Sequence, residues 1–272
     1  MATETLDYKK MWEDIGEDAG RGYLAIKFKP TYRIGLTNFV REEAIYQYLD
    51  PKPTDKVLDV GCASGRQIFR IIDRVAEGHG VDIAESFIAA ANSFKDEKGI
   101  TNAFFKVAVI EALPYSDQYF DKVICGEVLE HVFDKDLALA ELSRVLKSGG
   151  TLIITVPNLN ADGTWWGRLL RFLKIRSFVP MEKFSQQELR KHGDSHVREF
   201  SAKTMRFWLE NRGWKVENIT TASFVDGPWV DWLLKVPLHT PPLRWLIIKF
   251  EQALTGLNLK WGRHLVVKAK KI

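Results

Sequence analysis

Asp59-Val60-Gly61-Cys62-Ala63-Ser64-Gly65 follows a short apolar run and precedes an amphipathic one, so its glycines fall where a strand must turn sharply into a helix. Small residues at such a turn let a ligand approach the backbone closely, as nucleotide-like cofactors require, although structural turns share the pattern. Asp82 closes the next apolar run, His79-Gly80-Val81, and a carboxylate at that strand end can accept both hydroxyls of a ribose. It can also cap the helix that begins after Ala84, and the two roles are compatible. A third run ends at Cys125 and Gly126, and just past it Glu127, Glu130 and His131 supply the residue types that move protons or ligate a divalent cation.

The elements that must position these residues follow from periodicity. Leu36 to Leu49 repeats apolar residues at helical spacing and stops before Pro51 and Pro53. Strands are expected at 56–60, 78–82, 103–109, 120–125, 150–156, 214–220 and near 264–269, with helices at 65–75, 84–95, 135–146 and 202–211. Strands alternating with helices imply parallel pairing through right-handed crossovers, hence an α/β fold with a doubly wound, mostly parallel seven-stranded sheet. Ligands of such sheets bind at the carboxyl ends of the strands. The expected organisation is a helical cap over residues 1–50 and a single domain over 51–272. Insertions fall at about 158–195 and 222–260, where the strand and helix rhythm breaks.

Phe120-Asp-Lys-Val-Ile-Cys-Gly-Glu127-Val-Leu-Glu130-His131 and Glu141-Leu-Ser-Arg-Val-Leu-Lys-Ser-Gly-Gly150-Thr-Leu-Ile-Ile-Thr-Val-Pro157-Asn158 add two further segments in the same order. With the glycine turn and Asp82 they resemble the class I S-adenosylmethionine-dependent methyltransferases, in the group containing the ubiquinone and menaquinone methylases. The similarity covers roughly Arg41 to Asn158, and His196-Val-Arg-Glu-Phe-Ser201 and Asn211-Arg-Gly213-Trp214 extend it. The resemblance implies a Rossmann-like methyltransferase fold and S-adenosylmethionine lying across the strand ends. Its methionine part would meet the turn formed by Asp59, Gly61, Cys62, Ala63 and Gly65, and its ribose Asp82. The adenine would lie by Ile83, Ile110 and Glu111, with Cys125 and Gly126 completing the pocket. Arg41 stands where similar quinone O-methyltransferases carry an arginine thought to meet the cofactor; a solvated helix face is its alternative. The family often has Asp where this chain has Val109, which removes one polar contact to adenine.

Methyl transfer to a hydroxyl requires removal of its proton, and His131, with Glu127 beside it, is the candidate base; a scaffold role with the imidazole bonded to backbone is the alternative. Glu127, Glu130, His131 and the distant His196 resemble the Mg²⁺ or Mn²⁺ ligand sets of methyltransferases that protect small RNA ends, where the cation lowers the acceptor's pKa.

The acceptor is expected from composition. Of nine Trp, only Trp12 precedes Trp165, and residues 165–178 and 228–250 combine bulky apolar side chains with cations. That composition suits peripheral contact with anionic lipid or a lid over the site, and no run is long enough to span a bilayer. A hydrophobic or lipid-linked small molecule is therefore the expected acceptor. A net charge of +4 and the absence of an RNA-binding module make nucleic acid a weak partner. Cys62 and Cys125 lack disulfide or zinc spacing, and Met1 to Lys10 lacks a signal-peptide pattern, so a cytoplasmic location is expected. Two alternatives stand beside this reading: a metal-dependent 2'-O-methyltransferase acting on an RNA end, and a catalytically silent cofactor-binding partner protein.

Overall fold

The computed structural model describes residues 33–132, 134–162, 200–223, 241–257 and 262–272. Helix α1 (Arg33–Leu49) leads into β1 (Lys56–Val60), α2 (Arg66–Ile71), β2 (Glu77–Asp82), α3 (Glu85–Glu97) and β3 (Ala103–Val107). The chain continues through β4 (Phe120–Gly126), α4 (Lys135–Val145), β5 (Leu146–Pro157), α5 (Ala202–Glu210), β6 (Trp214–Ala222), α6 (Pro241–Gly256) and β7 (His264–Lys271).

The seven strands lie in the order β3-β2-β1-β4-β5-β7-β6. β3, β2, β1, β4 and β5 pair in parallel, while β7 runs antiparallel to both β5 and β6. A parallel strand in the middle of such a sheet is covered on both faces, which explains why Val57, Leu58, Asp59 and Val60 are all buried and read as one continuous run. Chain order reverses between β1 and β4, so the crevice for a ligand opens at the carboxyl ends of these two strands. The doubly wound sheet expected from the sequence is therefore present.

Three local details depart from the expected pattern. β5 begins at Leu146, because the Ser148-Gly149-Gly150 turn is absorbed into the strand with Gly149 at φ 71° and a register shift opposite Phe120 and Lys122. β3 stops at Val107, and Val109 is exposed. The 222–260 stretch, expected to be irregular, contains α6. Pro241 and Pro242 occupy its first turn, where a missing N–H costs nothing. Ile247 and Ile248 pack inward against the core that α1 shares, while Leu243, Trp245, Leu246 and Phe250 are exposed. The insertion after β5 begins with a 3₁₀ turn at Leu159–Asp162, and its continuation at 163–199 lies outside the described residues.

α1 is fixed from two sides. Val40, Ala44, Ile45 and Leu49 are buried against the sheet, and the buried Glu42 accepts from Arg66 and from Arg70 (3.0 Å) of α2. The helix that carries Arg41 is thus tied to the helix that starts at the glycine turn. A carboxylate 2 % exposed needs such partners, since its desolvation would otherwise outweigh any gain from folding.

Candidate functional site

The turn out of β1 holds three residues in the left-handed region: Gly61 (φ 72°), Ala63 (44°) and Gly65 (81°). The N–H groups of Gly61 and Cys62 both donate to the Val81 carbonyl, at 2.8 and 3.0 Å, which folds the turn back over β2. A Cβ at Gly61 would lie 2.3 Å from Val128 Cγ2, so only glycine lets the segment leaving β4 close against the turn. Asp82 completes the link: Oδ2 accepts from the Ala63 N–H at 2.8 Å and Oδ1 from the Ala84 N–H at 3.0 Å. The contact to Ala84 is made before the first turn of α3, whose N-cap is Ala84 with no side-chain cap, so the helix-capping role read from sequence is not realised. These two backbone donors fix the carboxylate at the end of β2, facing the turn after β1. Ile83 and Glu111 are half-buried and Ile110 buried at the neighbouring strand ends, and Cys62 and Cys125 are fully enclosed.

Below this edge lies a set of polar atoms with unmet bonding capacity. Asp59 is 0 % exposed; its Oδ1 meets Gln67 Nε2 at 3.4 Å, but its Oδ2 has no hydrogen-bond partner. Gln67 Oε1, Thr155 Oγ1 and Tyr46 Oη are likewise buried without a partner. A Cβ built on Gly126 would meet Gln67 Nε2 and Thr155 Oγ1 at 3.4 Å each, so two of these side chains converge on the end of β4. Buried polar atoms are almost always satisfied, and several unsatisfied ones together mark where a polar ligand belongs. Burial, and then the nearby Asp82 charge, push the Asp59 carboxyl well above its usual range. A ligand ammonium would supply the missing counter-charge. Gln67, Thr155 and Tyr46 were not singled out from the sequence, because amide, hydroxyl and phenol side chains at these spacings carry no motif.

Glu127 turns the chain out of β4 with φ 58°, a conformation costing a non-glycine residue about 1–2 kcal/mol. Its N–H donates to the Thr155 carbonyl at 2.9 Å, and its Oε2 lies 3.5 Å from Arg41 Nη1 and 3.4 Å from His264 Nε2. Arg41 therefore points into the site, and the solvated-face alternative is wrong. His264 escaped sequence reasoning, since only the antiparallel course of β7 brings it to this edge.

Glu130 and His131 follow in a 3₁₀ turn and are both buried. Neither Glu130 oxygen has a hydrogen-bond partner, His131 Nε2 lies 3.9 Å from Oε1, and burial followed by the Glu127 charge raises the Glu130 carboxyl well above its usual range. The ligand set expected from Glu127, Glu130 and His131 is not assembled: among the described residues no group of three or more His, Cys, Asp or Glu side chains is arranged to hold a metal ion. Glu127 is engaged by α1 and β7, whereas Glu130 and His131 turn into the protein. His196 lies outside the described residues.

Comparison with known proteins gives the family and the fold. A family model described as a methyltransferase domain matches residues 51–205. The chain is 31% identical over 150 residues to the uncharacterized methyltransferase YcgJ of Bacillus subtilis, covering 54% of this chain and 51% of that protein. It is 30% identical over 171 residues to a ubiquinone biosynthesis O-methyltransferase of Idiomarina loihiensis, covering 63% of this chain and 65% of that protein. The matches thus span about half to two thirds of these relatives' length. Among solved structures, YcgJ superposes with a TM-score of 0.55 at 20% identity over 85% of this chain and 97% of that one. A methyltransferase solved with the Haloferax volcanii Trm112 activator gives 0.56 at 18% identity over 88% and 92%.

The raised Asp59 carboxyl makes a sign-specific prediction. A folded value above the unfolded one contributes stability fully present below the unfolded value, near pH 4, and lost as pH rises through the folded value. Melting of the cofactor-free protein should therefore show Asp59→Asn more heat-stable than wild type at about pH 8, with the advantage shrinking towards about pH 5. Equal melting temperatures at both values would mean that the carboxylate is already compensated.

Proposed function

Because the chain belongs to the class I S-adenosylmethionine-dependent methyltransferases, we propose that it transfers the methyl group of that cofactor to an oxygen atom of a hydrophobic or lipid-linked small molecule. The observation that carries this reading is the uncompensated Asp59 carboxyl beneath a glycine turn that Asp82 braces. Asp59, Gln67 and Thr155 would hold the amino-acid end of the cofactor, with the backbone of Cys62, Ala63 and Gly65 alongside. Asp82 would accept the ribose hydroxyls, and Ile83, Ile110 and Glu111 would flank the base.

The cofactor supplies an electrophilic methyl group on a sulfonium. The remaining work belongs to the protein: placing an acceptor in line, excluding water and removing the hydroxyl proton. Glu127 suits the last task better than His131. Its side chain is 13% exposed and lies against Arg41, whereas the His131 side chain is 6% exposed and faces Glu130. A cation-assisted reaction on RNA draws no support from the described residues, which assemble no ligand cluster.

The acceptor class rests on α6. Leu243, Trp245, Leu246 and Phe250 are 43–58% exposed on a helix whose Ile247 and Ile248 pack against the core cluster that α1 shares. Such a face, with Lys249 within it, would rest in the interface of an anionic membrane and deliver a lipid-borne substrate to the adjacent site. No described helix is long and apolar enough to cross a membrane, so the contact would be peripheral. The cationic 165–178 segment lies outside the described residues. Both cysteines are free and buried, which fits a reducing cytoplasm.

Two experiments test the reading. Incubation with methyl-tritiated S-adenosylmethionine and a farnesylated catechol should label the catechol, and Asp82→Ala should lower kcat/KM by about tenfold or more through weaker cofactor binding. Cofactor binding without labelling of this probe or of a lipid extract would leave the silent partner protein as the better reading. Sedimentation with anionic phospholipid vesicles should capture the wild type and lose the double variant Leu246→Ser, Phe250→Ser. Equal capture of both would remove α6 from the membrane contact.

A further inference from the structure

Within the described sheet, β7 is the strand that runs against its neighbours, and this places its first residue at the edge where the parallel strands finish. His264 pairs with Pro157, the last residue of β5, and with Ala222, the last residue of β6. The backbone around it is pinned. The Asn158 N–H donates to the Arg263 carbonyl at 2.7 Å, the Arg263 N–H to the Ser223 carbonyl at 3.1 Å, and Asn158 Nδ2 to the Gly262 carbonyl at 2.8 Å. From this fixed base His264 Nε2 reaches to 3.4 Å from Glu127 Oε2, with Arg41 Nη1 approaching the same oxygen at 3.5 Å.

Glu127 needs such holding. Its φ of 58° lies where side chains other than glycine rarely stay without support, and its carboxylate would otherwise be free to leave with the relaxing backbone. Arg41 of α1 and His264 of β7 both reach the same carboxylate oxygen, from two elements that pack in one core cluster. An apolar residue at position 264 would fill the same space without gripping an anion.

We infer that His264 is a positioning residue of the acceptor site, fixing the Glu127 carboxylate at the carboxyl edge of the sheet through its Nε2 atom. The inference rests on the proposed role of Glu127 towards the acceptor. The geometric part stands separately, since the His264 and Glu127 contact exists whether or not a particular acceptor is turned over.

The test has two readings. In cofactor-free protein carrying ¹⁵N-labelled histidine, Glu127→Gln should shift the His264 ring-nitrogen resonances, and unchanged resonances would overturn the contact. With methyl-tritiated S-adenosylmethionine and a farnesylated catechol, His264→Ala should lower kcat by about tenfold while the cofactor dissociation constant stays within about twofold. His264→Gln, whose amide can place an N–H near the position of Nε2, should recover most of the rate. Wild-type kcat in His264→Ala, no recovery in His264→Gln, or cofactor affinity falling in step with kcat would each overturn the positioning role. If the wild type labels no catechol, the acceptor reading fails and the nitrogen resonances alone decide the inference.

Discussion

Two parallel strands that end side by side need something to hold their exits apart and in register, and here the Asp82 carboxylate does so. One oxygen accepts from Ala63 in the turn after β1 and the other from Ala84 at the start of α3. With that brace in place, the Val81 carbonyl can take two N–H donors from the turn, and Gly61 can sit against Val128 on the far side. The turn, the exit of β2 and the exit of β4 thereby become one rigid edge. A ligand meeting this edge finds donors and acceptors already ordered, which is how a preorganised site avoids the entropy of assembling itself on binding.

The same edge carries an electrostatic burden. Asp59 sits in the middle of the sheet with an unsatisfied oxygen, and Glu130 is enclosed next to the charge of Glu127. Both carboxyls are pushed towards their neutral forms, and both are poised to gain from a cationic partner. Glu42 shows the contrasting solution: equally buried, it is satisfied by Arg66 and Arg70 and holds α1 to the body of the protein. Glu42 is thus paired within the protein, while Asp59 Oδ2 and both Glu130 oxygens have no hydrogen-bond partner. Unmet bonding capacity of this sort separates a site from a scaffold more sharply than the presence of charged residues does.

Much of this architecture was legible from the residues. β1 and the turn after it read clearly because a strand buried on both faces leaves a continuous apolar run and the chain reversal demands glycine. Asp82 was legible as a strand-end carboxylate, although it accepts from Ala63 and Ala84 and does not cap α3. α6 was hidden because its proline pair and tryptophan looked irregular, although proline at a first helical turn favours the helix. The proposed cation set is not gathered among the described residues, and its fourth member, His196, lies outside them. Glu127, Glu130 and His131 are neighbours in sequence, but a left-handed residue followed by a 3₁₀ turn separates where their side chains go. His264 could not be found at all, since its place depends on β7 inserting antiparallel between β5 and β6.

The central claim is that the edge formed by Asp59, the glycine turn and Asp82 is a receptor for S-adenosylmethionine, and binding of S-adenosylhomocysteine measured by titration calorimetry tests it most directly. The account predicts saturable one-to-one binding in the micromolar range, weakened in Asp59→Asn. Because burial raises the Asp59 carboxyl, it also predicts proton release on binding wherever that carboxyl is still protonated in the free protein. A folded sample that takes up no ligand, or an Asp59→Asn variant that binds as well as wild type and releases as many protons, would contradict it.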